Sequence, residues 1–343
     1  IYLYIIIMLS EIIRIGLLLI ILCIVGIFYD MYKKKQEKDN IKTHYDLVEK
    51  YLLNEDKTNK LLQSKHKPFL WIHMNMEKNA RHWLSFGSRT SNCLNQPYLL
   101  LCIKSIIDKC GNDFNICLIN DDSFKKLLSD NEFNVDLSRL ADPIKTHMRE
   151  LAMMKTLHKY GGLIVPSSFI CMKNLHPLYL QHASHSSNKP QCFAFELSND
   201  NEYTSQYFPN TQFMGASPMN PSTKEVIEFI EKEISKDFTN EMDFNGQINR
   251  KLFELIQENK VSILDGSKIG VVDVEQEDIG IERLVNNSPL ILSEEAYGLY
   301  IPYKQLLKRT HYEWVTRMSH EQILESNTNI GKYLLLSQTH TVL

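Results

Sequence analysis

The chain has 343 residues, 43% of them hydrophobic and 10% aromatic, enough to bury one large core or one core with a small annex. Its formal net charge of -3 carries no signature of a nucleic-acid partner. The seven cysteines are odd in number and contain no Cys-x-x-Cys, which argues against a zinc ribbon or a secreted disulfide framework and for reduced, buried thiols.

From the amino terminus, residues 12–29 are apolar except for Arg14, about the length of a bilayer-crossing helix, and Arg14 lies near enough to one end to snorkel. No Ala-x-Ala-like cleavage site follows, so residues 1–31 read as a retained membrane anchor. Residues 1–7 precede Met8 and are expected to be translated upstream sequence, which N-terminal sequencing checks. Lys33, Lys34, Lys35 and Lys38 follow the apolar run, and the positive-inside tendency then puts the large carboxy-terminal part in the cytosol. A lumenal orientation, with Asn286-Asn287-Ser288 as a glycosylation acceptor, is the alternative. Residues 32–67 are rich in Lys, Glu, Asp and Asn and read as a solvated, partly helical stalk.

The globular part is expected over 68–343. Residues 69–75, FLWIHMN, read as a buried first strand, 81–98 as a long polar connection, 99–111 as a helix and 114–122 as a second strand ending in Asp121 and Asp122. At least one of those aspartates is expected to cap a helix that begins near Ser123. Residues 143–162 place Ile144, Met148, Leu151, Met154 and Leu157 on one helical face, with Pro143 at the start and Gly161 or Gly162 at the end. A strand over 163–165 follows, so Pro166, Ser167 and Ser168 fall at a strand's carboxyl end, where open α/β sheets put their ligands. Further on, Asn220 and Pro221 start a helix, and Asp243–Gln247, DFNGQ, reads as a turn. The alternation of strand and helix predicts an α/β fold with a mostly parallel sheet flanked by helices.

The run LHKYGG, a strand, a polar triplet and FICMKNLHPLY, within residues 150–180, resembles the glycosyltransferases that carry a DxD sugar-binding region, including the capsular-polysaccharide type. The likeness extends over 68–235 and takes in NTQFMGASPMNPSTKEVIEFI, residues 210–230. It implies a GT-A-like, nucleotide-diphospho-sugar transferase fold, a UDP- or GDP-sugar donor and a glycan acceptor. In that family two aspartates hold Mg²⁺ or Mn²⁺ at the donor diphosphate. The register here puts Pro166 and Ser168 at those positions, so no metal is required by the sequence, although the Ser168 hydroxyl can donate to a sugar or phosphate. The family's Asp-x-x-Arg falls on Glu150 and Met153; Glu150 keeps the acidic role, and Arg149 stands beside it to replace the lost guanidinium.

Two functions follow from the resemblance. One is a membrane-anchored glycosyltransferase working without the usual metal, with Arg81, Arg89, Lys145 or Arg149 neutralising the diphosphate and Glu150 and Asp243 as the candidate catalytic carboxylates. The nucleotide-sugar set is then His73, Arg81, Arg89, Arg149, Gly161, Gly162, Pro166, Ser167 and Ser168. The other is a catalytically inactive scaffold or binding protein at a membrane, favoured by a proline where a ligand aspartate belongs. His176, His182 and His185 read as a loop rather than a metal site, because no close carboxylate or cysteine completes them. The aromatics of the tail, among them Tyr303, Tyr312 and Trp314, either line an acceptor groove, where aromatic faces suit sugar rings, or pack a terminal helix onto the sheet, which is the expected use. Phosphate-loop, dinucleotide, zinc-protease and nucleophile-elbow motifs are absent from the sequence.

Overall fold

The computed structural model describes residues 13–29, 31–32, 35, 50–53, 67–74, 96–183, 190–198, 207–236, 241–308 and 311–338. The chain divides into two compact units, Ile1–Tyr51 and Leu52–Leu343. In the first, residues 13–29 form a helix with exposed apolar side chains such as Leu22 and Phe28. Among the described residues, no helix is long and apolar enough to cross a membrane. Of the expected transmembrane segment, then, a helix is observed and a crossing is not.

The second unit is α/β. Six strands, β1 (Phe69–His73), β2 (Asn115–Ile119), β3 (Gly162–Ile164), β5 (Cys192–Ser198), β6 (Tyr207–Ala216) and β7 (Ser262–Leu264), form one sheet in the order β2-β1-β3-β6-β5-β7. Three of its five pairings are parallel, and β6 runs against both neighbours, so the expected mostly parallel sheet is present with one reversed strand. Short apolar runs make these strands because both faces are covered: Leu70, Trp71 and Ile72 are all buried. β4 (Phe169–Cys171) and β8 (Gly298–Tyr300) pair antiparallel in a separate two-stranded sheet.

Three helices, α3 (Ile144–Tyr160), α5 (Pro221–Ile234) and α6 (Glu241–Gln257), pack their apolar stripes into one core with Trp71, Ile119, Ile164 and Met214 of the sheet. A second core joins α1 (Gln96–Cys110) to β4, β8 and the carboxy-terminal helices α9 (His320–Glu325) and α10 (Asn329–Gln338). The other helices are short: α2 (Phe124–Leu127), α4 (His176–Ala183), α7 (Ile281–Val285) and α8 (Tyr303–Lys308). Asn220 caps α5 through its side chain and Pro221 opens it, as the sequence predicts.

Several expectations are corrected. Leu52 bridges Leu118, and the Leu53 amide donates to the Leu118 carbonyl at 3.1 Å, so the folded unit begins before Pro68 and draws in two residues of the expected stalk. Asp243–Gln247 lie in α6, not in a turn: Phe244, Ile248, Leu252 and Leu255 form a buried stripe, and its burial overrides the turn tendency of Asn-Gly. His176 and His182 lie on α4, whereas His185 falls outside the described residues. Ile144 is 53% exposed although it continues the α3 stripe, because spacing alone does not say where a helix overhangs its sheet.

Candidate functional site

The site begins with strand order. β1 is followed by β2 on one side, and the chain then crosses to place β3 on the other side of β1. Such a reversal opens a crevice at the carboxyl ends of the strands, because the connections leave β1 in opposite directions. His73 ends β1, Asp121 stands two residues past β2, and Val165, Pro166 and Ser167 follow β3, so all reach the same edge.

A cavity of about 140 Å³ occupies this edge, an order of magnitude more than one water needs. His73, Thr146, Arg149, Glu150, Pro166 and Ser167 line it, with Thr211 and Gln212 from β6 and Tyr303 and Lys304 from α8. The α3 contribution is one helical face, since residues 146, 149, 150 and 153 recur at the spacing that stacks side chains turn upon turn.

Asp121 organises the polar groups. Arg149 donates to it side-on, Nε to Oδ1 and Nη2 to Oδ2, both at 2.7 Å. His73 Nε2 lies 3.2 Å from Oδ1, and Lys145 Nζ lies 3.5 Å from Oδ2. Burial pushes the Asp121 carboxyl up, but the hydrogen bonds of His73 and Arg149, with the Arg149 charge, outweigh it and hold the carboxyl well below the usual carboxylate range. Burial lowers the His73 pKa, against the pull of Asp121, and the ring stacks on Phe124 at 5.6 Å. The helix-cap role expected of an aspartate here belongs instead to Asn120, whose side chain forms a capping box with Ser123.

Glu150 accepts a hydrogen bond from the Thr211 hydroxyl at 2.5 Å, across from α3 to β6. The triplet after β3 is a tight turn in which the Phe169 amide donates to the Pro166 carbonyl at 3.1 Å. Ser168 is fully buried and its hydroxyl donates to the Ile301 carbonyl at 2.7 Å. The expected role of Ser168 as a donor to ligand is thereby corrected: its hydroxyl is committed to fastening this turn to the segment after β8.

Gly161 and Gly162 do not line the cavity, and their role is backbone shape. Gly161 caps α3 at φ +66° and its carbonyl accepts from Trp71 Nε1 at 2.8 Å. Gly162 sits at φ +105°, where a Cβ would lie 2.2 Å from the Phe69 carbonyl oxygen. Arg81 and Arg89 lie outside the described residues, and of Asp243 only the helical backbone is described.

Among the described residues no group of three or more His, Cys, Asp or Glu side chains is placed to hold a metal. The carboxylate that lines the cavity, Glu150, accepts from Thr211, and Asp121 beyond the lining is engaged by Arg149.

Of the residues singled out in the sequence, His73, Arg149, Glu150, Pro166, Ser167 and the tail residue Tyr303 lie on the cavity lining; Thr211, Gln212 and Lys304 lie there too and were not singled out. One signal was available for the α3 face: Thr146, Arg149 and Glu150 recur beside the apolar stripe. No local pattern marks Thr211, Gln212 or Lys304.

No protein-family model and no curated protein matches the chain. Among solved structures it is similar to a PaToxG glycosyltransferase at 11% identity and a TM-score of 0.31, over 66% of this chain and 81% of that one. A likeness at that level assigns no family.

Proposed function

We propose that this cavity takes a nucleotide-diphospho-sugar, with Arg149 rather than a metal ion meeting the diphosphate, and that the chain is a glycosyltransferase-like protein. The observation that carries the reading is the position of Arg149, Glu150 and Ser167 around one cavity at the switch point of an α/β sheet. The resemblance of residues 150–180 to DxD-type transferases supports the same ligand.

In the reaction so proposed, an acceptor hydroxyl attacks the anomeric carbon and the bond from that carbon to the diphosphate oxygen breaks. Glu150, oriented by Thr211, takes the hydroxyl proton, and the guanidinium of Arg149 meets the charge that collects on the leaving diphosphate. Lys304 lies on the same wall. Pro166 in place of a carboxylate favours a second reading, in which the sugar nucleotide binds and is not turned over.

Calorimetric titration of the full chain with UDP- and GDP-sugars, with and without Mn²⁺, is expected to show binding of at least one of them, with the same affinity in both conditions. Binding that depends on Mn²⁺ rejects the metal-free site, and binding of no sugar nucleotide rejects the function. Donor hydrolysis or transfer separates the enzyme from the binding protein. Membrane attachment through the apolar run 12–29 belongs to the same proposal, with the folded unit on the cytosolic side. Failure of the full chain to float with phosphatidylcholine vesicles would reject attachment.

A further inference from the structure

Arg149 uses Nε and one proton of Nη2 on Asp121, and Nη1 makes no hydrogen bond among the described residues. The same side chain lines the cavity, and Asp121 is not among the residues that do. A guanidinium is a rigid planar fork, so a carboxylate gripping one edge fixes the direction of the other edge. Three side chains from two elements converge on that carboxylate: Arg149 and Lys145 from α3, and His73 from the end of β1. His73 is itself pinned by its stack on Phe124. The carboxylate is therefore held by its neighbours as firmly as it holds Arg149.

We infer that Asp121 is the positioning residue of this site: it grips Arg149 side-on so that Nη1 is presented to a phosphate oxygen of a nucleoside diphosphate. The inference rests on the proposed sugar-nucleotide reading of the cavity. It makes a counter-intuitive demand, because removing a negative charge beside an anion site strengthens binding on Coulombic grounds alone. If Asp121 acts by position, its neutral isostere weakens binding instead.

The test is a double-mutant cycle on the full chain with UDP as the probe, read by calorimetry, with thermal melts to verify folding. Asp121→Asn is expected to weaken UDP binding about 10-fold, and Arg149→Gln about 100-fold. The double variant is expected to bind no more weakly than Arg149→Gln, because Asp121 has nothing left to position. An Asp121→Asn variant that binds UDP as tightly as the wild type, or more tightly, overturns the inference and leaves the sugar-nucleotide reading standing. So do single effects that multiply in the double variant. A wild type that binds neither UDP nor any UDP- or GDP-sugar removes the reading and the inference together. Should Asp121→Asn fail to fold, Arg149→Lys decides: it keeps the charge and the ion pair but not the fork, and wild-type affinity in that variant overturns the proposal.

Discussion

Replacing Gly162 by alanine is expected to destabilise the folded unit by about 4 kcal/mol or more, among the largest effects a single methyl can have. Two costs add. The backbone at φ +105° disfavours any side chain, and the new Cβ would stand 2.2 Å from the Phe69 carbonyl oxygen and 2.9 Å from its carbon. Neither atom can yield cheaply, because β1 is held by β2 on one side and β3 on the other. For a unit of this size the loss corresponds to a fall in thermal midpoint of about 10 °C, or to insoluble protein. Gly246→Ala is the internal control: it lies in α6 with no heavy atom near its virtual Cβ, and alanine there is expected to gain up to about 1 kcal/mol of helix propensity. Melting of Gly162→Ala within 2 °C of the wild type would contradict the close approach of β3 to β1.

Arg149→Gln is expected to carry the largest functional effect, the roughly 100-fold loss of UDP affinity, together with a cost of about 2–3 kcal/mol in stability. The stability cost arises because Asp121, largely withdrawn from water, keeps among the described residues only His73 and Lys145. It also has a pH signature. The folded Asp121 carboxyl lies below its ordinary value of 3.8, and Glu132, paired with Lys159 at 2.7 Å, lies at about 2 against an ordinary 4.5. Groups depressed in the folded state stabilise it fully above their unfolded pKa, and that stability is lost as pH falls through the folded value. Wild-type stability is thus expected to start falling below about pH 6.5, where unfolded His73 takes up a proton that the buried ring resists, and to fall further below about pH 4.5, with Asp121 the main carboxylate contributor because Glu132 is well solvated. The variant starts lower and loses less over the same window. Melts at pH 7, 4 and 3 check this, and parallel curves for the two proteins would show that the Asp121 pair contributes nothing.

Much of the scaffold was readable from local pattern. β1 and β2 announce themselves as short apolar runs, α3 as a stripe ending in two glycines, and α5 by its Asn-Pro start. Each is a statement about neighbours within one or two helical turns, where periodicity and caps act. The misreadings share one cause. Asp243–Gln247 looked like a turn because Asn-Gly favours one locally, yet the burial of Phe244 and Ile248 outweighs that preference. Gly161 and Gly162 looked like ligand contacts because of where they stand, while their requirement is conformational, set by Phe69 and Pro218, which come close only in the folded chain.

The amino-acid sequence by itself determined that the chain alternates strands and helices, that a cap and strand surround YGGLIV, and that the triplet Pro166–Ser168 carries no carboxylate. Only the tertiary structure decided which residues face one another. It separated Ser167, on the cavity, from Ser168, turned to Ile301, and it brought Thr211 to Glu150 and Tyr303 and Lys304 to the same wall. It also joined Asp121 to Arg149 across 28 residues. Periodicity tells which face of an element is buried, but the partner of that face follows from strand order, and strand order is settled by the packing of the whole sheet against its helices.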